Sequence, residues 1–216
     1  MKVKSVFIIV CLAMSLFICA QCIYAQDPKT IKLPAPQMQG GKPLMEALAQ
    51  RKSVREFSSK ELSLQELSNL LWAAYGINRP ETGGRTAPSA RNMQEIDVYI
   101  IKADGLYLYD AKENALVLII AEDLRALTGK QDFVAKAAVN LIFVADFSKM
   151  KGQASDMEFY SAVDTGYVSE NVYLYCASGG LVTVVRGLVD RPSLAKAMKL
   201  RPEQKIILAQ TVGYPN

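Results

Sequence analysis

The chain has 216 residues, with 25 Lys and Arg against 21 Asp and Glu, a formal net charge of +4 and no histidine. The absence of histidine excludes His-based catalytic triads, His-ligated metal sites and His proton relays, and we predict no metal site. The length that remains after a targeting segment is set aside suits one domain with a substantial core.

The first 25 residues have the layout of a secretory signal peptide. Lys2 and Lys4 form a positive n-region, an uncharged and mostly apolar run follows over residues 6–19, and Ala25 offers a small residue for cleavage. We therefore predict an exported, periplasmic protein. An uncleaved anchor is the alternative and the only predicted route to a membrane, although the run is short for a membrane span. A lipoprotein anchor is disfavoured because Gln21 precedes Cys22, where a small residue is expected.

Removal of residues 1–25 changes the charge and the cysteine content. Two of the 25 cations leave with this segment, so 23 face 21 anions and the formal charge falls to +2. That balance argues against a nucleic-acid partner. Three of the four cysteines also leave, and the remaining Cys176 lies in an apolar stretch typical of a buried small hydrophobe.

The rest of the chain is predicted as an extended arm followed by one domain. Residues 26–42, rich in Pro, Gln and Gly, form the arm, which is either a disordered spacer or a segment that wraps a partner subunit. The domain covers residues 43–216. Its predicted helices cover residues 43–52, about 63–78 from a Ser63–Glu66 capping box, 122–128, 157–178 and 192–199, and a loop covers residues 78–92. Its predicted strands cover residues 96–102, 106–109, 115–120, 139–147, 181–185 and 205–212. Because strands and helices mix without strict βαβ alternation, the fold class is α+β.

A basic cluster follows the first predicted helix. Arg51, Lys52, Ser53 and Arg55 place three cations and a hydroxyl within five residues. Alternation along an extended segment sends Arg51, Ser53 and Arg55 to one side, where guanidinium groups suit phosphates and electron-rich carbonyl systems. The alternative is a solvated basic helix end.

Two further segments have groups that suit a planar ligand. In the loop, Pro88 fixes the backbone, Ser89 offers a hydroxyl and Asn92 offers both a donor and an acceptor, which suits a ring with imide-like edges. Gly179 and Gly180 permit close approach of the backbone to a ligand. The alternatives are an ordinary polar turn and a helix C-cap, and the C-cap is compatible with a ligand contact.

Other common catalytic patterns are missing from the sequence. No Gly-x-Gly-x-x-Gly follows a predicted strand, and there is no P-loop and no Gly-x-Ser-x-Gly. Two acidic pairs could be proposed as paired carboxylates, but both lie near predicted helix N-termini, where the helix dipole favours acids. They are Asp156 with Glu158, and Glu122 with Asp123.

The ordered segments resemble the nitroreductase family of FMN-dependent oxidoreductases, and within it the branch that includes thiazole/oxazole-forming dehydrogenases. The resemblance covers roughly residues 43–215. Its motifs are Arg51-Lys-Ser-Val-Arg-Glu-Phe57, Ala87-Pro-Ser-Ala-Arg-Asn-Met-Gln94, Asn171 with Ala177-Ser-Gly-Gly-Leu181, Val212-Gly-Tyr-Pro215, and the meander Asp97 to Asp110.

The resemblance implies a homodimer with FMN at the subunit interface and a central, mostly antiparallel sheet flanked by helices. Arg51 and Ser53 would hold the ribityl phosphate with help from Lys52, and Arg55 would lie near the pyrimidine edge of the flavin. Pro88, Ser89 and Asn92 would contact the same flavin, some from the other subunit. Gly179 and Gly180 would present backbone near the reactive N5.

The resemblance also implies a reaction class. Ping-pong hydride transfer through FMN would reduce a nitroaromatic, a quinone or another small acceptor, or would dehydrogenate a small substrate, with NAD(P)H as a candidate electron donor. A flavin-binding or scavenging envelope protein without turnover is the alternative. The sequence departs from the family pattern at Ser178, where a glutamate is common, and no basic motif follows Pro215. We therefore expect the phosphate to rest on Arg51 and Lys52, with Arg186 or Arg201 as further candidates by charge.

Overall fold

A computed structural model describes residues 29–216, so the predicted signal peptide and the first residues of the arm lie outside the described residues. Within that range the chain forms nine strands and four α-helices. The strands are β1 (Thr30–Lys32), β2 (Ile77–Arg79), β3 (Gly84–Arg85), β4 (Ile96–Lys102), β5 (Gly105–Asp110), β6 (Ala115–Ile120), β7 (Val139–Asp146), β8 (Val182–Arg186) and β9 (Gln204–Gly213). The helices are α1 (Leu44–Gln50), α2 (Leu64–Tyr75), α3 (Ala154–Gly179) and α4 (Arg191–Ala197).

Seven strands form the central sheet, in the order β1-β6-β5-β4-β7-β9-β8, and every neighbouring pair is antiparallel. All eight residues of β7 are buried, because this strand lies between β4 and β9 and both faces of the sheet are covered. This confirms the predicted α+β class, the antiparallel sheet and the buried central strand.

The arm joins the sheet of its own chain. Residues of β1 pair with β6, with Ile31 opposite Leu116. Leu33 is buried in the core, and its N–H donates to the carbonyl of Asn114 at 3.0 Å. Residues 30–33, which belong to the predicted arm, therefore pack on the domain of their own chain.

Helix α3 crosses the domain and carries two different faces. Val168, Val172 and Cys176 are buried in the core beneath α2 and the sheet. The burial confirms the prediction for Cys176, and desolvation raises the pKa of its thiol above the usual range. Phe159 is exposed, although it is apolar. Helix α2 begins with the predicted capping box, in which Ser63 and Glu66 exchange side-chain and backbone hydrogen bonds.

Two short predicted elements differ from the structure. The predicted helix over residues 122–128 is only a 3₁₀ turn, Arg125–Thr128, because the Asp123 carboxylate accepts the Arg125 N–H at 3.0 Å and pairs with its guanidinium. The predicted second helix stops at Tyr75, and Ile77–Arg79 instead pairs with Gly84–Arg85 as a small hairpin.

Among residues 29–216, no helix combines the length and the apolar character needed to cross a membrane. The same residues contain no group of three or more acidic or cysteine side chains placed to hold a metal ion.

Candidate functional site

The basic cluster lies against the outer edge of β8. Ser53 forms an isolated parallel bridge with Thr183, and the Val54 N–H donates to the Thr183 carbonyl at 3.0 Å. The segment after α1 is therefore extended, as predicted, and it runs beside the last strand of the sheet. This contact fixes the backbone from which the cations project.

Tyr173 of α3 joins the cluster to β8. The Ser53 hydroxyl and the Tyr173 hydroxyl lie 2.7 Å apart, and the Val185 N–H donates to the Tyr173 oxygen at 3.0 Å. The Arg51 guanidinium carbon lies 5.2 Å from the centre of the Tyr173 ring, within the range of a cation–π contact. The sequence alone did not indicate Tyr173, because a tyrosine among apolar residues of a helix is usually part of the hydrophobic core.

The cations of the cluster lack acidic partners in the described part of the chain. Arg51, Lys52 and Arg55 form no salt bridge there, and Lys52 and Arg55 are exposed. Lys52 also lines a cavity of about 200 Å³ together with Lys42, Tyr173 and Gly180. A set of unneutralised cations beside a hydroxyl fits an anionic group such as a phosphate.

Gly179 and Gly180 form the C-terminal cap of α3. Gly180 has φ +74°, and its N–H donates to the Cys176 carbonyl. The predicted C-cap is confirmed. The Gly180 N–H, which the resemblance places near the flavin N5, already donates a hydrogen bond within the end of α3. The cap brings Gly180 to the same cavity as Lys52, whereas Gly179 lines a separate cavity with arm residues 37–41.

The outer edge of β8 offers backbone groups that sequence reasoning missed. Thr183 and Val185 already direct a carbonyl and an N–H toward Val54 and Tyr173. Gly187 follows directly after the end of β8 and is exposed, and its carbonyl accepts the Val189 N–H at 3.0 Å. The Val-Arg-Gly sequence at the end of β8 is the signal that could have indicated it.

The loop around Pro88 is held by an internal network centred on Gln94. The Ser89 hydroxyl accepts the Gln94 N–H at 2.9 Å, and the Asn92 side-chain oxygen accepts from the Gln94 amide at 3.1 Å. Arg85 donates to the Gln94 side chain at 2.9 Å. The Ser89 O–H and the Asn92 NH₂ retain donors, and both Pro88 and Asn92 are exposed.

This loop is separated from the basic cluster within one chain. The Ala90 N–H donates to the Asp164 carboxylate on α3 at 2.8 Å. Asp164 precedes Tyr173 by roughly 14 Å along the helix axis, at 1.5 Å per residue. The structure thus brings Arg51, Lys52, Ser53 and Gly180 together, and it leaves Pro88, Ser89 and Asn92 at another level of α3.

Arg186 and Arg201, the further candidates for binding the phosphate, pair with groups outside the cluster. Arg186 is buried, and its guanidinium donates to Thr128, Asn140 and Thr211. Burial lowers the pKa of Arg186 to about 10. Arg201 forms a salt bridge of 2.5 Å with Asp146. Neither reaches the cluster, so the expectation that they grip the phosphate is not supported.

Comparison with solved structures defines the class of protein. A crystal structure described as a "putative nitroreductase" from Ralstonia eutropha JMP134 shares 46% sequence identity, with a TM-score of 0.84 over 89% of this chain and 92% of that chain. A chain of the Escherichia coli microcin synthetase McbBCD complex has the same fold at 19% identity, with a TM-score of 0.68 over 91% of this chain and 82% of that chain. The fold is that of the nitroreductase-like oxidoreductases.

The sequence comparisons give the family. The Nitroreductase family model matches residues 48–214. A "putative nitroreductase" from Methanocaldococcus jannaschii is 33% identical over 183 residues, which cover 80% of this chain and 91% of the relative. The chain belongs to the nitroreductase family and is an oxidoreductase of that family.

Proposed function

We propose that the protein is an exported, homodimeric, FMN-dependent oxidoreductase. The observation that supports this best is the convergence of three segments on Tyr173: Arg51 against its ring, Ser53 on its hydroxyl and Val185 of β8 on the same oxygen. Members of the family typically bind FMN. A phosphate needs fixed cations and hydroxyl donors, and this arrangement provides both beside a strand edge.

The residues of the cluster would each contact a different part of the cofactor. Arg51 and Ser53 would hold the phosphate, because Tyr173 fixes both side chains on one side of the segment. Lys52 adds positive charge from the cavity side. Arg55 is exposed two residues further along and would polarise the ring edge.

FMN, when bound, supplies hydride transfer, which is chemistry that amino-acid side chains do not provide. The protein would orient the ring and exclude water from one face. The exposed backbone at Gly187, directly after β8, is our candidate for a contact with the ring, in place of the capped Gly179 and Gly180. Pro88, Ser89 and Asn92 would supply the polar contacts from the second subunit.

A homodimer would bring the two separated halves of the site together. Phe159, Val163 and Tyr167 follow one another at four-residue spacing along α3, and all three are exposed. On α1, Leu44, Met45 and Leu48 are exposed as well. Exposed apolar surfaces of this extent favour a protein partner. A second copy of the chain would both cover these surfaces and complete the site whose two halves lie apart in one chain.

The location and the substrates rest on chemistry and on the sequence. The signal-peptide pattern of residues 1–25 supports a periplasmic location. NAD(P)H is a candidate donor, and a nitroaromatic, a quinone or another small acceptor would reoxidise the flavin. Dehydrogenation of a small substrate would use the same site in the opposite direction.

FMN binding by residues 26–216 tests the proposal. Titration followed by quenching of flavin fluorescence should give a yellow complex, and Arg51→Ala should weaken binding at least about tenfold, because a hydrogen bond to a charged group contributes about 1.5–3 kcal/mol. Lys112→Ala, at an exposed turn, is the matched control and should bind normally. A colourless protein that binds no added FMN would overturn the proposal, and unchanged binding by Arg51→Ala would remove that residue from the site.

A turnover assay separates the enzyme from a flavin-binding or scavenging protein. The reduced complex should pass electrons to a quinone or a nitroaromatic faster than free reduced FMN does. A complex no faster than free flavin would support the scavenging function.

A further inference from the structure

A buried acidic pair lies directly beneath the loop of residues 88–92. Glu95 is 0% exposed and Asp164 is 3% exposed. Glu95 precedes β4, and Asp164 lies in the middle of α3. The Asp164 carboxylate accepts the Ala90 N–H at 2.8 Å, so this pair touches the backbone of the loop.

Glu95 has no hydrogen-bond donor among the described residues. Neither of its side-chain oxygens finds an N–H or O–H partner there, and its neighbour is the Asp164 carboxyl group. Two facing carboxylates in a dry interior repel each other unless one proton joins them. Burial, together with Asp164, raises the pKa of Glu95 to about 7.

Charged and titratable groups surround the pair. Lys149, from the turn after β7, favours the ionised form of Glu95. On the other side, the buried hydroxyl of Tyr75 at the end of α2 lies beside Ser89, and the Arg85 guanidinium lies 5.0 Å from the centre of the Tyr75 ring. Burial raises the pKa of Tyr75 to about 12, so Tyr75 stays neutral over the pH range in which Glu95 titrates.

The loop needs an anchor because its backbone is strained. Arg91, Asn92 and Gln94 have φ values of 54°, 53° and 49°, in the left-handed region that non-glycine residues adopt at a cost. The bond from Ala90 to Asp164 lies immediately before this stretch. Release of that bond would allow the loop to relax.

We propose that Asp164 and Glu95 are positioning residues for the Pro88–Asn92 loop. Asp164 accepts the Ala90 N–H, and the proton on Glu95 prevents repulsion between the two buried carboxyl groups. When that proton leaves, the two carboxylates repel and the loop loses its anchor. This inference rests on the proposed function, in which Pro88, Ser89 and Asn92 contact FMN, and it adds a dependence of cofactor affinity on pH.

The first test measures FMN affinity of residues 26–216 near pH 6 and near pH 8.5. The unsubstituted chain should bind at least about fivefold more weakly at the higher pH, whereas Glu95→Gln should show no such change and should keep the affinity measured at the lower pH. Asp156→Asn, on the exposed start of α3, is the control and should behave like the unsubstituted chain. An equal pH dependence in the unsubstituted chain and in folded Glu95→Gln would overturn the proposal.

The second test needs no cofactor. Hydrogen exchange of the Ala90 amide near pH 6 should be protected in the unsubstituted chain. Protection should be at least about tenfold lower in Asp164→Ala, because the amide loses the carboxyl oxygen that accepts its hydrogen bond. Asp164→Asn keeps an acceptor oxygen and should retain most of the protection. Equal protection in the unsubstituted chain and in folded Asp164→Ala would overturn the positioning role. If the exchange pattern appears but FMN does not bind at any pH, the proposed function fails and the loop anchor stands.

Discussion

Replacement of Glu95 by Gln should make the protein more stable above neutral pH. Glu95 is buried, and its pKa is raised from 4.5 to about 7 by desolvation and by the neighbouring Asp164 carboxyl group. Below pH 4.5 both the folded and the unfolded chain hold the proton, so its stabilising contribution is fully present. As the pH rises through about 7 the contribution is lost, because the unfolded chain releases the proton first. At about 1.4 kcal/mol for each tenfold difference in proton affinity, the loss is on the order of 3 kcal/mol.

The background for this measurement is clean. The chain has no histidine, the only side chain that ordinarily changes its charge between pH 5 and pH 8. Urea unfolding can be followed through Trp72, the only tryptophan, whose indole N–H donates to the Ile77 carbonyl at 3.1 Å. The free energy of unfolding should fall from about pH 5 to about pH 7.5 in the unsubstituted chain and stay nearly constant in Glu95→Gln.

The matched control is Glu113→Gln. Glu113 is an exposed carboxyl group whose salt-bridge partner among residues 29–216 is exposed Lys32. This variant should keep the slope of the unsubstituted chain. A flat or rising free energy in the unsubstituted chain, or a wild-type slope in Glu95→Gln, would refute the reasoning.

Three further substitutions address other features. Tyr173→Phe keeps the ring beneath Arg51 but removes the hydroxyl shared by Ser53 and Val185. It should lower the free energy of unfolding by about 1–2 kcal/mol and weaken FMN binding severalfold. Unchanged FMN affinity would contradict the role given to Tyr173. Gly41→Ala combines φ +73° with a Cβ that would clash with the Ser178 Oγ. It should therefore lower the thermal midpoint more than Gly83→Ala, which has a similar φ of +69° and open space; equal midpoints would count against the clash. Phe159→Glu should convert a dimer to a monomer, as measured by light scattering, with an unchanged circular dichroism spectrum. The neighbouring Glu158→Gln is the control and should stay dimeric. A dimeric Phe159→Glu would exclude this face of α3 as the interface.

The sequence predicts the large elements well because their patterns are periodic. The strand-like runs of β4 to β6, separated by turn residues, and the apolar run of β7 predict the sheet, and the Ser63–Glu66 capping box predicts the start of α2. The short elements depend on single side chains. Asp123 turns the predicted helix at residue 122 into a 3₁₀ turn, which no periodic pattern reveals.

The site is predicted in part for the same reason. The cluster at Arg51 is contiguous, so its chemistry is visible in the sequence. Tyr173 and the β8 edge join the site only through tertiary contacts. Ser53 and Tyr173, for example, are 120 residues apart in the sequence. The acidic pair also joins distant residues: Glu95 and Asp164 look like ordinary acids until the fold places them together in the core.

The position of β8 at the edge of the sheet has a consequence for folding. The meander from β4 to β6 closes through short turns and can form early, whereas β9 pairs with β7 and β8 only after long stretches of chain have been brought together. In the described sheet β8 has a single neighbouring strand, β9. The strand that carries the edge of the site therefore gains its support late. The segment at Arg51 can contact Tyr173 of α3, but its pairing with Thr183 requires β8, which β9 holds in the sheet.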